Sequence, residues 1–358
     1  MHRVGYIFEK IVSMENLENA VNHAIKGKKK RKNVQRFLVD KERKLKLLQK
    51  HLIDGTYKCM PYTVKNIIDR GSGKHREIRV PKFFPDQIVQ WAIMLQIDKI
   101  LQKGMYEYSC ASIKNKGLIY GYRKVKRVIN EDHKNTKYCL SMDVKKFYPS
   151  IDQDILMQKL KCKIKDNKAL NLIEKIVRSV PAGVPIGNYT SQWFANFYLT
   201  DLDHFIKEKL HVKYYIRYMD DLLCLGSNKR KLHFAQKEIE KFLMGEKLCV
   251  KQNWQVYKLA VSKTSGRAID FLGFQFFDNF IRLRGRTYLR AGRRISKVAQ
   301  KPYLTSRDAS ACISYVSKFE RCSGNALYDK YFQRELCLKN CKRAISKKAR
   351  LENLNIAV

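Results

Sequence analysis

Three aspartates stand at the ends of short apolar runs, where their carboxylates can act together. Asp220 and Asp221 are adjacent, and apolar, aromatic-rich residues flank them between positions 214 and 225. The alternation in each flank predicts a short strand, and the polar break predicts a tight hairpin turn. Two like charges buried side by side are costly unless a cation neutralises them. Oxygen ligands without a nearby His or Cys favour a hard divalent ion such as Mg²⁺.

Asp143 ends a second apolar run, residues 138–144, which also predicts a short buried strand. Together with the hairpin it gives three carboxylates that can converge on two metal ions. Two metals about 3.5–4 Å apart can activate an attacking hydroxyl and stabilise a leaving pyrophosphate. An ordinary Asp-containing turn is the alternative for an isolated Asp-Asp pair, and the second acidic strand end favours the metal site.

Three ordered stretches resemble the successive palm motifs of reverse transcriptases: MDVKKFYPSI from Met142, GVPIGNYTSQWFANFYL from Gly183 and YMDD from Tyr218. The resemblance covers roughly residues 65–280. It implies an RNA-directed DNA polymerase with an α+β, right-hand fold, in which fingers and a helical thumb flank a ferredoxin-like palm. It also implies two Mg²⁺ ions, with Mn²⁺ as a substitute. The implied metal ligands are Asp143, Val144, Asp220 and Asp221, and the three aspartates are also the implied catalytic residues.

The implied division of the chain has four parts. An N-terminal helical extension covers residues 1–60, and the fingers cover 61–136. The palm covers 137–280 with a fingers insertion at about 155–182, and a basic helical thumb covers 281–358. Periodicity alone predicts a hairpin at residues 62–80, helices at 84–101 and 229–243, a strand at 256–263, and helical structure from Ile281 onward.

Lys74, Arg76 and Tyr148 are candidate nucleotide-binding residues. Lys74 and Arg76 lie in the predicted hairpin that matches the fingers, where cations neutralise phosphate oxygens. A surface hairpin with solvated charges is the alternative. Tyr148 resembles the aromatic steric gate that excludes a 2′-hydroxyl and so selects deoxynucleotides. A core aromatic next to Pro149 is the alternative.

Ile186 and Gly187 also belong to the nucleotide-binding set, because glycine lets the backbone approach a ligand closely. Most reverse transcriptases have Gln-Gly here and Ser-Pro four residues later, whereas this chain has Ile186-Gly187 and Ser191-Gln192. The departure resembles the reverse transcriptases of diversity-generating retroelements, which implies error-prone copying. Ile186 cannot hydrogen-bond, so it would hold a nascent base pair less firmly than a glutamine amide. Phage-defence-associated and retron-like enzymes remain the alternative.

Residues towards the C-terminus complete the predicted site. Lys263 resembles a lysine near the end of the reverse transcriptase palm, which can donate a proton to the leaving pyrophosphate. A solvated surface lysine is the alternative. Leu272 and Gly273 resemble the primer-grip hairpin, although a plain aromatic core strand explains most of the same residues. The predicted thumb contacts to nucleic acid are Arg290, Arg293 and Arg294.

Composition indicates a folded protein with a polyanionic partner. There are 73 Lys and Arg against 33 Asp and Glu, so the formal net charge is +40, which favours nucleic acid over a membrane surface. Ten irregularly spaced cysteines and no signal-peptide core predict a reduced, cytoplasmic protein. The expected partners are an RNA template, a DNA or RNA primer and dNTPs. The resemblance adds a structured non-coding RNA and a small accessory protein. A non-catalytic RNA-binding scaffold and an RNA-synthesising polymerase are the alternatives from other classes.

Overall fold

The computed structural model describes residues 3–68, 73, 75–261, 265–324 and 326–354. The chain forms two units. The first consists of Met1–Val125 and Tyr138–Val256, and the second of Lys126–Lys137 and Tyr257–Val358. None of the helices in the described residues combines the length and apolar character that a membrane span requires.

Helices dominate the described residues. Their bounds are α1 Phe8–Val12, α2 Met14–Ala24, α3 Lys32–Leu38, α4 Lys41–Ile53, α5 Ile88–Gln102, α6 Leu118–Glu131, α7 Phe147–Ser150, α8 Gln153–Lys161, α9 Asn167–Val177, α10 Tyr189–Tyr198, α11 Thr200–His204, α12 Lys229–Gly245, α13 Gly285–Ala299, α14 Ser306–Phe319, α15 Ala326–Tyr328 and α16 Leu338–Leu354. Wider helical turns adjoin α5, α11 and α15 at Phe83–Gln87, Phe205–Lys209 and Asp329–Glu335.

The strands form three sheets. Their bounds are β1 Thr63–Ile68, β2 His75–Val80, β3 Tyr138–Asp143, β4 Tyr214–Tyr218, β5 Asp221–Gly226, β6 Gln255–Lys258, β7 Ile269–Phe271, β8 Phe274–Phe276 and β9 Ile281–Leu283. β1 and β2 form a hairpin, β4-β5-β3-β6 is the strand order of the central sheet, and β7-β8-β9 forms a small antiparallel sheet.

The central sheet has two chemically different faces. β5 runs antiparallel to both β3 and β4, and Asp143 pairs with Asp221 while Met142 pairs with Leu222. Because neighbouring residues of a strand point to opposite faces, the two aspartates share one face and the methionine–leucine pair lies on the other. The carboxylates therefore stand at one end of a sheet whose opposite face belongs to the core.

Helix α12 covers that opposite face. A Cβ placed on Gly226 would lie 3.5 Å from a methyl carbon of Leu232, so α12 packs on the face that Gly226 shares with Leu222. Asn228 caps the helix, because its side-chain oxygen accepts the amides of Arg230 and Lys231. The buried apolar side of α12 therefore packs on the sheet face that lies opposite the aspartates.

The N-terminal helices pack on α5 through a buried polar contact as well as apolar side chains. Ser13 caps α2 by accepting the Asn16 amide. The Asn16 side chain in turn donates to the carbonyl oxygens of Ile11 and Ala92, at 2.9 and 3.0 Å. These hydrogen bonds satisfy a buried amide, which would otherwise destabilise the core.

The second unit contains β7–β9 and helices α13–α16. The structure corrects the prediction of helical structure from Ile281 onward, because Ile281–Leu283 is strand β9, paired with β8. Ile281 and Leu283 are buried while Arg282 is exposed, which is the alternation of a strand. Three residues within a basic sequence are too few to reveal that alternation. The predicted helical structure then begins at Gly285.

Candidate active site

The hairpin between β4 and β5 presents the adjacent aspartates. Tyr218 pairs with Asp221, so Met219 and Asp220 form a two-residue turn. Met219 has a φ of +55°, which hairpin turns of the primed types require at their first central position. The Val144 amide donates to the Asp220 carbonyl oxygen at 3.2 Å. This bond connects the turn to the end of β3, next to Asp143.

Asp143 and Asp220 form a close acidic pair. Burial and the neighbouring Asp143 carboxylate raise the pKa of Asp220 to about 6. Backbone bonding between Lys251 and Asp143 brings the Lys251 ammonium onto Asp143 Oδ2, with which it forms an ion pair. The other oxygen, Asp143 Oδ1, is buried and accepts no hydrogen bond from the described residues. A buried carboxylate oxygen without a partner, beside a second carboxylate, is suited to a cation.

The three aspartates are not equivalent. Asp221 is exposed, whereas Asp143 and Asp220 are half-buried. Within the described part of the chain, no three His, Cys, Asp or Glu side chains already enclose a metal site. Val144, the remaining predicted ligand, is buried between the turn and Val250, with which it pairs. The oxygen-only donor set fits a hard divalent ion.

A cleft of about 780 Å³ opens beside the acidic pair. Among its lining residues are Arg76, Tyr148, Ile186, Asp220 and Lys251. Its volume is within the usual range for small-molecule sites. The structure therefore brings four of the predicted residues and one unpredicted lysine to a single cleft.

Tyr148 lies on the wall of this cleft, in the short helix α7. Its hydroxyl is 3.9 Å from the sulfur of Met219. Burial and the nearby Asp220 carboxylate raise the pKa of Tyr148 to about 12, and the Arg76 guanidinium opposes that rise. Tyr148 is therefore neutral at physiological pH, with its ring beside the turn that carries Asp220.

The loop that carries Ile186 and Gly187 is held from both sides. The Ile186 carbonyl oxygen accepts the Arg79 amide of β2 at 2.8 Å. Gly187 has a φ of +129°, and a Cβ there would overlap the Arg79 carbonyl oxygen. Gln153 Nε2 donates to three carbonyl oxygens around the loop, those of Val177, Val180 and Gly183. The loop is thus fixed, and glycine at 187 is a steric requirement.

A buried ion pair lies behind the Met219–Asp220 turn and is bonded to it. Arg217 is 0% exposed, and its guanidinium donates to both carboxylate oxygens of Asp203 at 2.7 and 2.6 Å. It also donates to the side-chain oxygen of Asn196 and to the Met219 carbonyl oxygen, both at 3.2 Å. The Asp203 carboxylate further accepts the Tyr215 hydroxyl at 2.8 Å. A planar guanidinium with several donors suits this bidentate arrangement.

The Arg217 backbone joins the same support to a loop near residue 109. Its amide donates to the Tyr108 carbonyl oxygen at 3.0 Å, and its carbonyl oxygen accepts the Cys110 amide at 2.8 Å. Sequence reasoning missed Arg217 and Asp203 as well as Lys251. A charged residue in the middle of an apolar strand was the only indication of Arg217 in the sequence.

The remaining predicted residues are placed as follows. Lys74 and Lys263 lie outside the described residues. Leu272 and Gly273 form the two-residue turn between β7 and β8, with φ values of +55° and +86°. The arginines of the predicted thumb lie on α13, where Arg290 and Arg293 are exposed and Arg294 donates to Asp308 at 2.8 Å.

Comparisons with known proteins agree with the geometry. Group II intron-encoded protein LtrA of Lactococcus lactis subsp. cremoris is 26% identical over 175 residues, which are 46% of this chain and 28% of that protein. Retron Ec73 reverse transcriptase of Escherichia coli is 24% identical over 274 residues, covering 71% of this chain and 82% of that protein. The chain thus spans about a quarter of the intron-encoded relative and most of the retron relative.

Solved structures of low sequence identity are also similar. Apo telomerase from Candida tropicalis has a TM-score of 0.49 at 12% identity, over 80% of this chain and 56% of that one. Telomerase from Candida albicans, in complex with a fragment of telomeric RNA, has a TM-score of 0.47 at 13% identity, over 78% and 58%.

The family match covers the acidic pair and the residues that line the cleft beside it. Residues 70–276 match the family described as reverse transcriptase (RNA-dependent DNA polymerase), and this range is more than half of the chain. It includes the acidic pair, Tyr148, the Ile186 loop and Arg217. The chain belongs to the reverse transcriptase family, with the mixed helix-and-strand, right-hand polymerase fold of that family.

Proposed function

We propose that this chain copies an RNA template into DNA at the Asp143–Asp220 pair. The observation that carries the proposal is Asp220 on the wall of a cleft that Tyr148 and Arg76 also line, next to Asp143, whose buried Oδ1 accepts no hydrogen bond from the described residues. Asp143 and Asp220 are the direct metal ligands in this proposal. Asp221 and Val144 complete the predicted set. Mg²⁺ is the expected ion and Mn²⁺ its substitute.

The reaction is attack of a primer 3′-hydroxyl on the α-phosphate of a dNTP, with pyrophosphate leaving. Two bound Mg²⁺ ions would lower the pKa of that hydroxyl and neutralise charge on the pyrophosphate. Asp143 and Asp220 hold the cation positions, so the Lys251 ammonium must leave Asp143 Oδ2 when the site is loaded. It can then bind a phosphate oxygen in the same cleft.

Selectivity for the substrate comes from the cleft walls. Arg76 is exposed on β2 and lines the cleft, where its guanidinium can bind triphosphate oxygens. The Tyr148 ring would exclude a 2′-hydroxyl by its bulk. Ile186 and Gly187 would lie against the nascent base pair through apolar contact and close backbone approach.

Lys74 is proposed to bind phosphate with Arg76, and Lys263 to donate a proton to the pyrophosphate. Leu272 and Gly273 are proposed as the primer grip, and Arg290, Arg293 and Arg294 as thumb contacts to the duplex. The division into extension, fingers, palm and thumb is part of the same proposal. So is a cytoplasmic location, with which ten free cysteines are consistent.

For the biological role we propose error-prone copying in a diversity-generating retroelement, with a structured non-coding RNA and a small accessory protein as partners. Ile186 in place of glutamine supports this role, because an alkyl side chain cannot hydrogen-bond and would hold the nascent base pair less firmly than a glutamine amide. A retron-like or phage-defence role is the second candidate, and the match to the Escherichia coli retron enzyme is compatible with the retron-like role.

The test is primer extension by the purified full chain on an RNA template with Mg²⁺, offering dNTPs or rNTPs separately. DNA synthesis by the natural chain and none by Asp143→Asn is expected. Incorporation of rNTPs alone, or turnover by the variant, would refute the assignment. Sequencing the products tests the role: errors enriched opposite template adenine, and reduced by Ile186→Gln, support the retroelement. Accurate DNA from both chains would favour the second candidate.

A further inference from the structure

Helix α12 carries a line of side chains that the polymerase site does not use. Arg230, Phe234, Lys237 and Lys241 follow one another at intervals of four, three and four residues, so they lie along one side of the helix. All four are exposed, and Phe234 is 60% exposed. We call these four residues the α12 stripe. The opposite side of α12 is buried in the core through Leu232, Ala235, Ile239 and Leu243.

The α12 stripe faces away from the catalytic carboxylates. The buried side of α12 packs on the sheet face that contains Gly226, since Leu232 lies against that glycine. Asp221 is five residues from Gly226 along the same strand and therefore points to the other face. The sheet and α12 itself thus separate the α12 stripe from the cleft. A duplex bound at the carboxylates does not account for these exposed side chains.

The cations of helix α12 have no ion-pair partner in the part of the chain that the structure describes. Besides the stripe, Lys229 and Lys231 are exposed in its first turn. None of the five Lys and Arg side chains of α12 forms an ion pair within the described residues, whereas Arg43 and Arg178 elsewhere on the first unit pair with Asp40 and Asp154. The two glutamates of α12 lie on its flanks, half-buried, and Glu240 accepts the Gln236 amide. The α12 stripe is therefore a surface of uncompensated positive charge.

An exposed phenyl ring among unpaired cations fits one class of ligand. Phosphate groups bind Lys and Arg, and unpaired bases stack on aromatic rings, so this combination is typical of surfaces that bind single-stranded nucleic acid. From Arg230 to Lys241 the helix rises about 16 Å, which is long enough for several nucleotides. Sequence-specific RNA contacts are made mostly with unpaired bases in loops and bulges.

We propose that the α12 stripe binds RNA that contains at least one unpaired base, and that this RNA is the part of the template molecule outside the copied segment. The proposal rests on the proposed function, which supplies the RNA. The surface anchors the molecule by its flanking region while the cleft holds the primer terminus. Arg230, Lys237 and Lys241 make electrostatic contacts with phosphate groups. Phe234 stacks on the unpaired base.

The experiment compares two RNA probes annealed to the same DNA primer. The short probe covers only the primer site and a few template nucleotides, and the long probe adds a hairpin with a single-stranded loop on each side. Binding by the full chain is measured across a salt series, and primer extension is measured on the short probe. The variant is Lys237→Glu/Lys241→Glu. The matched control is Lys46→Glu/Lys50→Glu, the same charge change on exposed lysines of α4 with the same four-residue spacing.

We expect the natural chain to bind the long probe more tightly than the short one. The α12 variant should lose about tenfold in affinity for the long probe, and its slope of log affinity against log salt should fall by about 1–2, as two lost phosphate contacts require. Its extension of the short probe and the binding of both probes by the control should not change. Phe234→Ala should weaken long-probe binding about tenfold, and Phe234→Tyr should retain it.

Equal binding of the two probes by the natural chain would overturn the proposal. So would equal losses in the α12 variant and the control, or no effect of Phe234→Ala. Failure of the natural chain to extend the short probe would instead count against the proposed function, and the two failures are thus distinguishable.

Discussion

Replacing Asp220 by asparagine should make the metal-free protein more stable while it abolishes DNA synthesis. In the folded chain the Asp220 carboxylate is half-buried beside Asp143, and this environment raises its pKa to about 6. At neutral pH the charged Asp220 carboxylate opposes folding, because burial removes its water and the neighbouring Asp143 side chain repels it. Asparagine has nearly the same shape and carries no charge, so it removes the repulsion but cannot act as an anionic metal ligand.

The size of the effect follows from the pKa difference. The ordinary pKa of this carboxyl is 3.8, and its folded value is about 6, a difference of roughly two pH units, or about 3 kcal/mol. Because the folded state binds this proton more tightly than the unfolded state, the Asp220 carboxyl contributes its full stabilisation below about pH 4, and this contribution is lost as the pH rises through about 6. For a domain of this size the Asn variant should melt about 5–10 °C higher at pH 8, and the advantage should vanish near pH 4.

The assay is thermal unfolding of the full chain in a chelator at pH 8 and at pH 4, then with Mg²⁺ at pH 8. Asp54→Asn, which removes one exposed charge from the first unit, controls for net charge. Mg²⁺ should raise the melting temperature of the wild-type chain more than that of Asp220→Asn. If Asp220→Asn melts at or below the wild-type temperature in chelator at pH 8, the proposed repulsion between the two carboxylates is refuted.

Three further substitutions test the surroundings of the site. Asp203→Asn leaves the Arg217 guanidinium buried without its counter-charge. This substitution should lower the free energy of unfolding by about 3–5 kcal/mol, measured in urea titrations. A loss below about 1 kcal/mol would contradict a stabilising role for the ion pair. Gly187→Ala places a methyl group against a backbone carbonyl of β2 at an unfavourable φ. It should lower the free energy of unfolding by at least about 1 kcal/mol and raise the KM for dNTPs. The control Gly245→Ala, whose new Cβ would meet nothing within 4 Å, should change neither quantity. Tyr148→Ala should raise the efficiency of rNTP insertion by at least about tenfold relative to dNTP in single-nucleotide assays, and unchanged discrimination would exclude Tyr148 as the gate.

The strands that carry the aspartates could be predicted because their pattern is strong and local. The run ending at Asp143 and the two runs around Asp220 alternate clearly, and the structure has β3, β4 and β5 at those places. The strand Ile281–Leu283 could not be predicted, since three residues in a basic sequence do not establish a period. Its pairing with β8 depends on a tertiary contact that the local sequence does not specify.

The candidate site could be predicted only in part, for a similar reason. The acidic pair and Tyr148 belong to short motifs with fixed spacing. Lys251, in contrast, lies 108 residues after Asp143, and only the pairing of two backbone segments brings its ammonium to that carboxylate. Arg217 and Asp203 are both charged and fully buried. Charged side chains are rarely buried unless they are paired, and the sequence does not show that these two residues meet.

The buried group of Asn196, Asp203 and Arg217 behind the Met219–Asp220 turn limits how the site can be transferred to another protein. The conformation of Met219 is unfavourable for a non-glycine residue, and its carbonyl oxygen accepts a hydrogen bond from the Arg217 guanidinium, whose other partners come from α10 and α11. The Arg217 backbone is in turn bonded to the loop near residue 109. A designer who grafts only the four residues Tyr-Met-Asp-Asp onto a foreign hairpin therefore transfers the carboxylates without the constraint that orients them. The smallest portable unit is the turn together with Asn196, Asp203 and Arg217, and scaffolds for an artificial polymerase site should be screened for a place to bury that group.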